Sequence, residues 1–154
     1  MFKRNLLIVV AGIIVLILAS HFLFKQEGKY KSDSSSANEK NISINGVDLL
    51  VDIADTPEEQ AQGLSGRDKM AENKGMLFVF PVSNIPGFWM KDMRFSLDFI
   101  WIAESGMIVD ITENITPESY PEIFRSSSPV KYVLEVNAGW VDRNKVKVGD
   151  KVSF

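Results

Sequence analysis

Ile42-Ser43-Ile44-Asn45-Gly46-Val47-Asp48-Leu49-Leu50-Val51-Asp52-Ile53 is the stretch on which the architecture turns. Two runs of β-favouring residues flank Asn45-Gly46, and both of those residues tolerate the positive φ that a two-residue hairpin turn demands. Thr56-Pro57-Glu58-Glu59 follows as a capping box with proline at the first helical position. Gly63 then predicts that the helix stops after little more than one turn. A second short turn is expected over Asp68 to Asn73. Met76-Leu77-Phe78-Val79-Phe80, ended by Pro81, has no alternation and predicts a strand buried on both faces. Further strands are expected at Phe88-Trp89-Met90-Lys91, Leu97 to Ile102, Met107 to Ile111, Lys131 to Val136 and Lys151 to Phe154. Ser83 to Gly87 reads as loop, Glu113 to Pro129 as a long excursion, and Asn137 as the cap of a short helix over Ala138 to Asn144. About seven or eight closely spaced strands with few, short helices predict a mainly β domain, a β-sandwich or a partly open barrel. No helix is long enough to cross a parallel sheet, which disfavours a strictly alternating α/β fold.

Upstream, the composition changes. Leu6 to Phe24 holds 16 hydrophobic residues in 19 and no charged one. As a helix it would be roughly 28 Å long, close to the ~30 Å hydrocarbon core of a bilayer. A transmembrane helix is expected there, behind a short head over residues 1–5. A flexible linker over residues 25–40, rich in charge and serine, leads to a globular domain over residues 41–154. The rival is a cleaved signal peptide with Lys3 and Arg4 as its basic region, followed by secretion of the rest. Its cleavage sites are poor, because Ile17-Leu18-Ala19 and Leu18-Ala19-Ser20 place a large residue where a small one is needed. A short head before a first hydrophobic segment resembles a signal anchor, so the domain is expected outside the cytoplasm of a single-pass membrane protein. The flanking lysines Lys25, Lys29 and Lys31 nearly balance the charge count across the span.

The chain has no cysteine, and its single histidine, His21, lies inside the apolar run. That excludes disulfides, cysteine redox or nucleophilic chemistry, zinc sites of Cys and His, and a Ser-His-Asp triad in the domain. All 20 acidic residues and 15 of the 17 basic ones lie beyond Phe24, a net charge of −5 there. Such a balance argues against nucleic acid as a partner, since phosphate binding needs clustered Lys and Arg. With no phosphate loop, calcium loop or histidine pair, no metal and no cofactor is expected. Carboxylates, amines, guanidinium and aromatics are what remain.

Asp98 is the first of these. In its strand it shares a face with Ile100 and Ile102, so its carboxylate must be paired, hydrogen-bonded or at the edge of the apolar patch. Lys91 is a plausible partner. Glu135 lies on the face of Val133 and Lys131, and Arg67 could reach either carboxylate. Arg67, Lys91, Asp98 and Glu135 are therefore a candidate polar cluster, with Trp89, Trp101 and Trp140 as candidate aromatic platforms. Two carboxylates beside aromatic platforms suit glycoside hydrolysis. An ion-paired network that fixes loops to the sheet accounts for the same residues and is the favoured reading.

Taken in order, Gly63-Leu64 with Arg67, Gly75-Met76-Leu77-Phe78-Val79-Phe80, Phe88-Trp89-Met90-Lys91-Asp92-Met93, Leu97-Asp98-Phe99-Ile100, Tyr132-Val133-Leu134-Glu135 with Ala138-Gly139, and Gly149-Asp150 closely resemble the family called domain of unknown function 192. The resemblance runs from about Ile42 to Phe154. The chain departs from the family pattern at Ser65-Gly66 and at Asp92-Met93. The resemblance implies a small, mainly β domain, often exported or membrane-tethered in bacteria and archaea. It implies no reaction, and it marks Arg67, Trp89, Lys91, Asp98 and Glu135 as a shared site or a shared scaffold. Three functions are compatible: a binding or accessory envelope module for a small molecule, glycan or protein partner, a hydrolase of envelope polymer through Asp98 and Glu135, or a structural domain without a ligand.

Overall fold

The computed structural model describes residues 38–154. The expected head, the membrane anchor and nearly all of the linker lie outside the described residues. Among the described residues no helix is long and apolar enough to cross a membrane.

β1 (Glu39–Ile44) and β2 (Val47–Ala54) form the expected hairpin, with Asn45 at φ 54° and Gly46 at φ 79°. β1 starts inside the segment read as linker, because Glu39 and Lys40 pair with Asp52 and Val51. α1 (Pro57–Gln62) carries the full capping box. The Glu59 N–H donates to Thr56 Oγ1 and the Thr56 N–H to Glu59 Oε2, both at 3.2 Å. Gly63, at φ 50°, ends the helix as its position predicts.

β3 (Lys74–Asn84) lies parallel to β2. One parallel pair thus exists despite the lack of a long helix. The crossover needs only enough chain to return to the same end of the sheet; α1 and the loop after it, residues 55–73, supply it. β4 (Leu97–Ile102), β5 (Ile108–Ile115), β6 (Val130–Asn137) and β7 (Val152–Ser153) complete one seven-stranded sheet, in the order β5-β4-β6-β3-β2-β1-β7. A short α2 (Trp140–Arg143) follows β6 and is preceded by Gly139 at φ 74°. Asn137 is not its cap; its side-chain amide donates instead to the carbonyls of Met70 and Ala71. Phe88 to Lys91, expected as a strand, makes a single bridge, Phe88 with Phe124.

The sheet is curled into a half-barrel rather than split into a sandwich. The C-terminal segment draws its edges together: Val152 and Ser153 pair with Ile44 and Ser43 of β1, while Lys151 bridges Met107. On that second side the Ile108 N–H donates to the Asp150 carbonyl at 2.9 Å and the Val152 N–H to that of Gly106 at 2.8 Å. Ile44, Val51, Leu77, Ile102, Ile108 and Val152 meet inside the curl, plugged by Trp140, Val141 and Val146. The outer face holds a second core of Met76, Phe78, Phe99, Trp101 and Val133, covered by Leu64, Phe88 and Met90 from the connecting loops. The middle strands are therefore apolar on both sides, and every residue of β4 is buried. Each large side chain enclosed this way contributes about 1.5–3 kcal/mol.

Candidate functional site

A single cross-strand row on the outer face builds the site. Asp52 on β2 stands beside Met76 on β3, Met76 beside Glu135 on β6, and Glu135 beside Phe99 on β4. The two carboxylates thus share one face two strands apart, about 10 Å between backbones. Arg67, carried by the turns after α1, donates from its guanidinium to Asp52 Oδ2 at 2.7 Å. Asp52 is itself nearly buried. Sequence reasoning missed it; the usable signal was a lone carboxylate between Val51 and Ile53 in a strand otherwise rich in apolar residues.

Glu135 has no comparable partner. It is 5 % exposed, and neither a hydrogen bond nor an ion pair holds its carboxyl among the described residues. No fully enclosed side-chain oxygen or nitrogen there is left without a partner. The Glu135 oxygens are accordingly those that open into a cavity of about 150 Å³. Its walls come from α1 and the residues after it (Gln60, Leu64, Ser65), from Phe78 and Phe80 of β3, and from Phe88, Trp89 and Met93. Burial pushes the Glu135 carboxyl up to about 8, and the nearby Arg67 guanidinium opposes the rise. At neutral pH the group is mostly protonated, able to donate as well as to accept.

Local structure explains the walls. The Gln60 side-chain amide ties α1 to the sheet by donating to the Val79 carbonyl at 2.9 Å. Phe88 is wedged edge-on among Phe78, Phe99 and Trp101, with ring centroids 4.8, 5.6 and 5.6 Å away. Gly75 is needed because a Cβ there would lie 2.8 Å from the Glu135 carbonyl oxygen. This close approach of β3 and β6 places Glu135 directly against the row.

The other expected members of the cluster lie elsewhere. Asp98 is 0 % exposed and on the inner face, opposite Val136. Its Oδ1 accepts from the Asn114 N–H at 2.8 Å and its Oδ2 from the Val141 N–H at 3.1 Å. It clamps β5 and the start of α2 to β4. Lys91 is exposed, not paired with Asp98, and borders a separate shallow groove with Trp89 and Asp92. Trp101 and Trp140 are core residues rather than platforms, the Trp101 Nε1–H donating to Thr112 Oγ1 at 3.0 Å. Trp89 alone of the three is open, at 51 %. Among the described residues no group of three or more His, Cys, Asp or Glu gathers to hold a metal.

The profile of domain of unknown function 192 (DUF192), described as an uncharacterized ACR family, matches residues 40–154. The chain belongs to the DUF192 family. Two crystal structures are similar to it. One, from Sinorhizobium meliloti 1021 and named as a proposed transcription regulator, is 39% identical with a TM-score of 0.71, covering 74% of this chain and 92% of its own. The other, a protein of unknown function from Novosphingobium aromaticivorans DSM 12444, is 28% identical with a TM-score of 0.70, covering 75% and 85%. Comparison with curated proteins found no match. In this DUF192 domain, Gly63, Leu64, Phe78, Phe88, Trp89 and Glu135 line the outer-face cavity, and Gly75 lets β3 approach β6 beside it. Leu97-Asp98 serves the clamp on the opposite side of the sheet.

Proposed function

We propose that this DUF192 domain is a non-enzymatic binding module that takes a small ligand, or the end group of a larger one, into the Glu135 cavity. One observation carries the reading: a nearly buried carboxyl without a partner among the described residues opens into a formed cavity walled by aromatic side chains together with Gln60, Gln62 and Ser65. Aromatic walls combined with a few placed polar groups are how small molecules are held and oriented. Hydrolysis by Asp98 and Glu135 would need both carboxyls to face one cleft, and they lie on opposite faces of the sheet. The regulator name of the Sinorhizobium meliloti relative is not carried across, because a net −5 beyond Phe24 opposes binding to phosphate backbones.

The apolar run Leu6 to Phe24 and the serine-rich linker support a module anchored in the cell membrane, its domain outside the cytoplasm. Protease treatment of intact cells tests that placement: digestion of the domain is expected, and full protection would count against it. Binding is tested by thermal shift of the full chain against small amines, alcohols, acids and envelope sugars. A ligand that raises the wild-type midpoint should fail with Met93→Trp, which fills the cavity. A shift that survives this substitution would move the site elsewhere.

A further inference from the structure

The ligand class follows from the chemistry of the wall, given the binding reading above. Among the described residues Glu135 is the one ionisable residue that lines the cavity; no Lys, Arg or His does so. Among the described residues no donor satisfies its oxygens. The cation that acts on it, Arg67, is already held by Asp52 at 2.7 Å, so that pair is neutral together. Ionised Glu135 is then the uncompensated charge. Around it stand Phe78, Phe80, Phe88 and Trp89. Aromatic faces attract a cation placed within about 6 Å and offer nothing to an anion. A volume of about 150 Å³ matches an apolar cavity that accommodates a molecule the size of benzene, so the guest is small.

We propose that the cavity is the site of a small organic cation, an alkylammonium whose charged head meets the Glu135 carboxylate and whose chain lies between Leu64, Phe78 and Phe88. Binding exchanges a proton: the protonated Glu135 carboxyl and the ammonium ion give an ion pair plus one proton released to solvent. The charged groups around Glu135 are few. β2 contributes Asp52 and the turn after α1 contributes Arg67, which pair with each other, and Glu58 and Glu59 of α1 border the adjoining groove with that pair. α1, β3, β4 and the residue 86–93 loop place no charged side chain in the wall; Lys91 and Asp92 border the neighbouring groove. Glu135, held at about 8 by burial, is thus the group that titrates in the cavity between pH 6 and 8.

Calorimetric titration of the full chain with butylammonium, butan-1-ol and butyrate tests this, since the three share a body and differ in charge. Alkylammonium stays charged throughout, its pKa being near the ~10.4 of lysine. Butylammonium is expected to bind alone, with Kd falling about tenfold per pH unit from pH 6 to 8 and levelling above. The heat should vary with the buffer, reporting one proton released. Glu135→Gln should abolish binding at every pH while near-UV circular dichroism stays native. Glu135→Asp should keep weaker binding with the same pH sense. Butan-1-ol or butyrate binding as tightly as butylammonium would overturn the cation assignment and leave the cavity as a binding site. Butylammonium binding unchanged by Glu135→Gln would also overturn it. Silence from all three ligands would overturn the cation assignment, while the thermal-shift panel decides the binding reading by itself.

Discussion

Three carboxyls are buried among the described residues; Asp52 is paired with Arg67, while Asp98 and Glu135 meet opposite fates. Asp98 is satisfied by two backbone N–H groups, from Asn114 and Val141. Asp98→Ala should lower stability by about 3–5 kcal/mol in urea unfolding, since it strands two buried donors. Asp98→Asn should cost less, about 1–3 kcal/mol, because one amide oxygen still accepts. Glu135 instead sits raised from 4.5 to about 8. The folded state holds that proton more tightly than the unfolded chain, so its stabilisation is full below pH 4.5 and lost as pH rises through about 8. The loss is on the order of 5 kcal/mol. Glu59, Glu118 and Asp150, held below the usual carboxylate range by hydrogen bonds, act oppositely and lose their contribution as acid protonates them. A stability profile from pH 4.5 to 9 should fall for the wild type and flatten for Glu135→Gln. That Asp98 needed partners was legible in a carboxylate set among isoleucines. Their identity was not, because backbone N–H groups 16 and 43 residues away carry no side-chain signature.

Among the elements, those written by neighbouring residues were legible and those written by distant ones were not. The Asn45-Gly46 turn, the capping box at Thr56 and the stop at Gly63 depend on a few adjacent residues, and each stands where the local chemistry puts it. The parallel pairing of β2 with β3 and the loop state of Phe88 to Lys91 depend on partners far along the chain, Phe124 among them. The outer-face row of Asp52, Met76 and Glu135 needs the register of three strands at once. Gly75 reports that register: its Cβ position lies 2.8 Å from a carbonyl of β6. Gly75→Ala should therefore force β3 and β6 apart and cost about 1–3 kcal/mol. Differential scanning calorimetry reads the loss, and an altered Glu135 titration in the same variant would show that the strand shift reaches the cavity.

At the scale of the whole molecule, a short C-terminal segment completes the half-barrel. Val152 is 2 % exposed and belongs to the inner core, and Lys151 reaches the start of β5. Truncation after Gly149 should uncover Ile44 and Ile108, raise dye binding to apolar surface and strip hydrogen-exchange protection from β1 and β5 first. A mainly β domain was readable from strand number and spacing, which left sandwich and partly open barrel as alternatives. Its closure was not, because β7 is only two residues long and its partners are at the other end of the chain.

Pairing the last strand with the first has a topological consequence. Lys40 holds its ammonium 5.9 Å from the centre of the Phe154 ring, so the path of the domain ends almost where it began. The backbone is close to a ring with one cut. Joining Phe154 to Glu39 through a few glycines and opening the exposed Glu104-Ser105 turn should give a circular permutant with the same sheet, and with its new ends at the far end of β4.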